Sequence, residues 1–362
     1  MLAHRRIEDM PATETLSLDT VSVLLVWTAI ALYAIAFIAY AFDLARRSQQ
    51  AVVARDSTVR ERELVGAGAR GESIEQIRAD EAAAEAELNA APSKRVRALW
   101  ARIGTSVTVL AFLFHLGATI TRGISAERVP WANMYEFALT GTLLIIAVYL
   151  GVLFRYDLRF LGTFVTGLIV VLLGGTAVGF YVDVIPLMDP LKSIWLVIHV
   201  FVASLATAFF ALAFALSVLQ LFQARRESRA IAAAEVASVA APASTARPGR
   251  MRFMRTIPSA DALEGLAYRF AIIGFIFWTF TLIAGSIWAN AAWGRYWGFD
   301  TTEEWTFVIW VLYAGYIHAR AARGWRGTRS AWLSIIGFTA VMFNFTIVNM
   351  FFKGLHVYSG LS

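Results

Sequence analysis

The chain contains no cysteine, which excludes a disulfide, a thiolate metal site, a thiol nucleophile and a CxxCH motif for covalent cofactor attachment. Any thiol chemistry that involves this protein is brought by another molecule. Charge is also scarce. Charged residues make up 16% of the 362 positions and hydrophobic residues 58%, and the mean hydropathy of +0.61 lies far above that of a soluble domain of this length. The N-terminal stretch before the first apolar run is polar, and no A-x-A cleavage pattern follows that run, so it is expected to be retained as a span rather than removed as a signal peptide. The net charge of +6 would point to nucleic acid in a soluble chain. Here the arginines gather in a few loops on one side, which is a topology signal instead, and nucleic-acid binding is discounted.

What is present is a series of apolar runs of roughly 18 to 25 residues, the length that crosses a hydrocarbon core of about 30 Å. Backbone polar groups within such a core have no water to bond, so the runs must be helical. The expected fold is an all-α polytopic membrane protein with about eight transmembrane helices. A segment 1–20 precedes a first span at 21–42, and a polar helical segment at 43–100 carries mixed charge. Spans two to five occupy 101–222, a basic linker 223–268, and spans six to eight 269–362. The seventh span is short, from Thr306 to Ala319. Arginine-rich loops follow spans one, three, five and seven, so these loops are expected inside and both termini outside, in a bacterial plasma membrane.

The loop at 290–305 is the chain's densest aromatic stretch. Trp293, Tyr296, Trp297, Phe299 and Trp305 fall within thirteen residues, interleaved with Gly294, Gly298, Arg295, Asp300, Glu303 and Glu304. An interfacial aromatic belt explains one or two rings at a helix end. Five rings with glycines between them suit a platform for a large flat apolar ligand, because rings offer stacking area and glycine lets the backbone come close. A porphyrin meets that description, and a porphyrin iron needs axial ligands.

Among the five histidines, His199 lies about one turn inside the outer end of span five, and His356 lies just beyond span eight. Both fall on the side of the Trp loop. Either alone reads equally well as a hydrogen-bonded structural histidine; flanking one aromatic loop, the two fit a bis-His iron site. His318 lies near the inner end of span seven, where an ionisable residue reads by default as functional and, so close to the interface, also as a satisfied structural group. His115 sits at a different depth in span two, about 20 Å from the inner end, so it is a poor partner for His318. His4 is terminal.

The combination of Trp293-Gly294, Trp297, Asp300, Glu303 and Trp305 between two apolar spans, with outer histidines on both sides, resembles the tryptophan-rich WWD signature of haem-handling proteins in cytochrome c biogenesis. Within that superfamily the chain is most similar to the System II subunit of the CcsA/ResC type, often labelled CcsB in actinobacteria. The stretches Pro130-Trp131-Ala132-Asn133-Met134-Tyr135-Glu136, Lys192 to Val200 and Gly354-Leu355-His356-Val357-Tyr358 extend the similarity from span two to the C-terminal end. The sequence departs from the pattern at Phe299, where a Trp is usual, and at Thr301-Thr302, where a Pro-Lys pair is usual. The lost Lys leaves Arg295 as the cation near the loop for a haem propionate.

The resemblance implies that His199 and His356 are external haem-iron ligands. It also implies that His318 ligates a haem within the membrane, with the other ligand there coming from a partner subunit. It implies a cytochrome c synthase (haem lyase) subunit that holds haem b as substrate and adds the thiols of a CxxCH apocytochrome across the haem vinyls. The implied partners are a ResB-like System II membrane subunit, apocytochrome c, haem and a thiol reductase. Two other readings stand beside it: a haem transporter or chaperone that delivers haem to a separate ligase, and a non-haem scaffold or lipid carrier, which would be colourless.

Overall fold

A computed structural model describes residues 16–68, 99–184, 192–239, 257–322, 325–352 and 354. Among the described residues there is no strand. The elements are α1 (Leu18–Gly68), α2 (Leu99–Ser125), α3 (Met134–Leu153), α4 (Gly162–Gly179, entered through a 3-10 turn at Arg159–Leu161), α5 (Ile194–Val239), α6 (Ala260–Trp293), α7 (Thr301–Ala321) and α8 (Thr328–Phe343). From Asn344 to Val348 the last helix widens into a π-helical turn before a final turn at Asn349–Phe351. The polytopic all-α architecture read from the sequence is thus the architecture of the structure.

Seven helices are long and apolar enough to cross a membrane among the described residues. The helix that falls short is α7, the short seventh run of the sequence. Its first turn carries Glu303 and Glu304, and its last turn His318 and Arg320, which lowers its average hydropathy. It nonetheless traverses the bundle. At about 1.5 Å per residue its 21 residues span about 31 Å, from the Trp loop at one end to Arg320 at the other. There the Arg320 guanidinium meets the buried Glu264 of α6 at 2.5 Å.

Helix ends run further than the hydropathy suggests. Helix α6 begins at Ala260, nine residues before the expected Arg269, because Ser259 caps it by accepting from the Ala262 N–H and Asp261 sits in its first turn. It runs on to Trp293, and α7 starts at Thr301. The connecting loop is therefore 294–300, shorter than the 290–305 expected, with Trp293 and Trp305 on the flanking helices. Helices α1 and α5 likewise continue into the stretches read as polar segment and basic linker.

Lipid-facing and packed surfaces separate cleanly. Ile273, Ile276, Phe280 and Ile283 of α6 are exposed along one stripe at helical spacing. Between helices, lipid provides no hydrophobic drive, so close packing and polar contacts hold the bundle. The buried Tyr40 ring of α1 fills the space over Gly104 and Gly162, where an added methyl would lie 2.9 and 2.6 Å from it. Tyr313 of α7 stacks on Phe210 of α5 at 3.6 Å, planes within 7°.

Two ionic clusters pin opposite ends. At the end shared with the Trp loop, the fully buried Arg122 donates to Glu136 (3.0 Å), Asp19 (2.6 Å) and the Val182 carbonyl (2.7 Å), and Arg128 also reaches Glu136. This joins α1, α2, α3 and the chain after α4. Tyr181 donates to Asp19 at 2.7 Å; partial burial, with the Asp19 carboxylate beside it, pushes its phenol up to about 12, so it stays a donor. At the other end Glu264 is ion-paired with Arg320 and accepts from Ser330 Oγ and the Gly327 N–H.

Candidate functional site

His199 lies on the face of α5 that repeats as Leu196, His199, Val200, Ala203 and Thr207, all lining one cavity. That spacing of three and four is the inward stripe of a helix. Opposite it, α6 presents Thr281, Gly285 and Trp288, again four and three apart. The His199 ring stacks on Trp288, centroids 5.9 Å apart and planes within 19°. Its Nδ1 lies 3.0 Å from the Thr281 carbonyl oxygen. A carbonyl only accepts, so Nδ1 carries the proton and the neutral ring's lone pair sits on Nε2. This backbone-anchored tautomer is the form in which histidine ligates a metal.

Gly285 makes the stacking possible. A methyl group there would lie 2.7 Å from the His199 ring, so any larger residue forces the imidazole to move.

Two cavities meet at this histidine. The larger, about 210 Å³, lies between α3, α4, α5, α6, α7 and α8 and is mostly apolar. The smaller, about 60 Å³, lies toward the loop and is lined by Tyr296, Trp297, Glu303 and Gly285. His199, Thr281, Trp288, Thr302 and Thr306 line both. A group held on His199 is therefore bounded by aromatic surface on the loop side and by the bundle interior on the other.

The loop is built as a rigid rim. Gly294 ends α6 in the left-handed conformation, φ 72°, its N–H bonded to the Asn290 carbonyl. Asp300 caps α7, and Glu303 closes the capping box, accepting from the N–H of Gly298 (2.7 Å) and of Asp300 (3.3 Å). Between them Phe299 adopts φ 54° and is 79% exposed, an unfavourable conformation for an aromatic residue that the two fixed ends impose.

Of the residues singled out in the sequence, His199 and Trp297 share a cavity wall. Trp293 joins them at one remove, edge-on to Trp288 at 4.8 Å. Trp305 packs elsewhere, against Phe343 of α8 at 4.5 Å. The guanidinium of the exposed Arg295 folds over Gly298. His318 is exposed on α7, sixteen residues beyond Thr302, or about 24 Å along the helix. His356 lies outside the described residues. Gly354, two positions before it, lies against the loop: a methyl group on Gly354 would run into the Asp300 carboxylate.

His115 is a structural residue. It is fully buried, with Nε2 2.9 Å from the Leu139 carbonyl and Nδ1 3.3 Å from the Tyr33 hydroxyl. Both ring nitrogens are thereby satisfied.

Trp288 is a site residue that the sequence reading passed over, and Trp131 and Asn133 entered that reading only within the stretch Pro130 to Glu136. Trp131 packs beside Trp288, Leu196 and Val200, carried by the turn that Glu136 holds through the Ala132 N–H (3.0 Å). Asn133 caps α3, its Oδ1 accepting from the Glu136 N–H at 2.9 Å. The signal for Trp288 was its spacing, three and seven residues beyond its face partners Gly285 and Thr281 on α6.

A family described as Cytochrome C assembly protein matches residues 107–356. The cytochrome c biogenesis protein CcsA of Guillardia theta is 31% identical over 265 residues, covering 72% of this chain and 86% of that protein. The CcsA of Prochlorococcus marinus subsp. pastoris is 32% identical over 267 residues, covering 70% and 82%. Among solved structures, one titled "Cytochrome c Heme Lyase CcmF" superposes with a TM-score of 0.56 at 14% identity, covering 94% of this chain and 48% of that one. The chain thus spans about half of that protein and shares its fold. With the family match running from α2 to the C-terminal segment, the chain belongs to the cytochrome c assembly protein family, among its CcsA-type members.

Proposed function

We propose that the protein binds haem b as a substrate at the Trp-loop end of the bundle, His199 supplying one axial ligand, and presents it for covalent attachment to apocytochrome c. The observation that carries this is the His199 imidazole, held by the Thr281 carbonyl and stacked on Trp288 where two cavities meet. The second axial ligand is His356. Trp297 and Trp293 orient the ring plane.

Attachment adds each cysteine S–H of a CxxCH segment across one vinyl C=C, sulfur to the carbon next to the ring and hydrogen to the terminal carbon. No oxidant is consumed. The protein's own work is positioning, since the haem carries the reactive groups. By the distribution of arginines, the Trp-loop end is the outer face of the plasma membrane and both termini lie there. His318, exposed near the inner end of α7, faces a ResB-like partner subunit that completes a second haem site; a thiol reductase keeps the substrate cysteines reduced.

The test is a membrane preparation containing the protein and its partner, supplied with haem and a CxxCH reporter. Haem that stays on the reporter after denaturation supports ligation. Haem that reaches the reporter without a covalent bond would make the protein a transporter that serves a separate ligase.

A further inference from the structure

The inner cavity is apolar except for a few groups, and two of them have hydrogen-bonding capacity to spare. Asn133 is 2% exposed and Asn344 is 8% exposed, and both line this cavity. Asn133 Nδ2 and Asn344 Oδ1 are buried and find no hydrogen-bond partner among the described residues. Burying an amide group unsatisfied is unfavourable, so two in one cavity call for a ligand.

Their orientations are set by other bonds. Asn133 Oδ1 accepts from the Glu136 N–H, which makes the remaining atom a donor. Asn344 Nδ2 donates to Thr306 Oγ1 at 3.3 Å, which makes the remaining atom an acceptor. Asn344 opens the π-helical turn of α8, a distortion found often at functional sites. The cavity thus offers one donor and one acceptor in an otherwise apolar wall. Among the described residues lining it there is no Lys, Arg, Asp or Glu.

We infer that Asn133 and Asn344 recognise one carboxyl side chain of the bound porphyrin in its neutral form, its C=O accepting from Asn133 Nδ2 and its O–H donating to Asn344 Oδ1. This rests on the haem reading above. A carboxylate anion is a poor fit, because burying a charge without a cation costs far more than protonating it. Haem is also polar edge to edge, with carboxyl side chains opposite the vinyls. Thiols arrive from the loop side, so the vinyls face the loop and a carboxyl points inward.

The experiment titrates the detergent-purified full chain with iron protoporphyrin IX and, separately, with its dimethyl ester, which keeps the C=O and loses the O–H. Titrated at about pH 5, where a free carboxyl is already part-protonated, wild type should prefer the free acid by about tenfold, the value of one buried hydrogen bond. Asn344→Leu should weaken free-acid binding by about tenfold while leaving ester affinity and the Soret position unchanged; Asn133→Ser, which retains the helix cap but removes the donor to the C=O, should weaken both ligands by about tenfold. Equal affinity of wild type for acid and ester overturns the inference without recourse to variants, and so does an equal loss for both ligands in Asn344→Leu. A wild-type chain that takes up neither porphyrin overturns the haem reading itself.

Discussion

The Nδ1 of His199 on α5 is bonded to the carbonyl oxygen of Thr281 on α6 at 3.0 Å, so a backbone atom of one membrane helix sets the tautomer of a histidine on its neighbour. The bond leaves the lone pair on Nε2, and Trp288, two helical turns from Thr281, holds the ring plane. Each element of that arrangement has a consequence that can be measured.

Gly285→Ala places a methyl 2.7 Å from the His199 ring and so shifts the imidazole without touching its chemistry. We expect haem affinity to fall by about tenfold or more, as for loss of one oriented contact. Gly174→Ala, where no atom lies within 4 Å of the added methyl, should leave haem binding unchanged. Equal behaviour of the two variants would show that the ring is not held as described.

Trp288 is 1% exposed, and Trp288→Ala should lower stability by about 3–5 kcal/mol, as for other large-to-small changes. Trp288→Phe keeps a stacking face for His199. It is expected to retain the haem spectrum while Trp288→Leu broadens or shifts it, read by absorption at matched protein concentration.

Arg122→Met leaves the buried Glu136 with one fewer cation and Asp19 without its Arg122 bond. Breaking a buried pair from one side costs about 3–5 kcal/mol, seen as a lowered midpoint of thermal unfolding in detergent. Because Glu136 also holds the Ala132 N–H beside Trp131, Glu136→Leu should reduce haem occupancy along with stability.

His115→Ala tests the separation of structural from ligating histidines. It leaves the Tyr33 hydroxyl and the Leu139 carbonyl without their bonds, a loss of about 1–3 kcal/mol. The position and intensity of the haem bands per folded protein should not change. A lost Soret band in a folded variant would move His115 into the site.

The architecture was legible because hydropathy is a bulk property of long runs, and membrane helices must satisfy their own backbone. Its ends were less so. Glu303 and Glu304 read as loop residues next to an apolar run, yet with Asp300 they form the capped first turn of α7. The Ser259 cap likewise starts α6 two turns before its hydrocarbon stretch. His199 was noticed because a histidine in an apolar run is conspicuous. Trp288 was not, since a tryptophan near a span end reads as interfacial belt, and only the register against Thr281 and Gly285 turns it inward. Asn133 and Asn344 owe their interest to one unsatisfied atom each, which depends on where neighbouring helices lie and is invisible in the chain itself.

The most direct test of the central claim is the visible absorption spectrum of the detergent-purified protein, expressed with the proposed ResB-like partner in haem-replete cells, for wild type, His199→Ala and His356→Ala. A Soret band with the α and β bands of a low-spin bis-histidine haem, altered by either substitution and partly restored by added imidazole, is the predicted result. A colourless wild type, or a haem spectrum that neither substitution alters, would contradict the account.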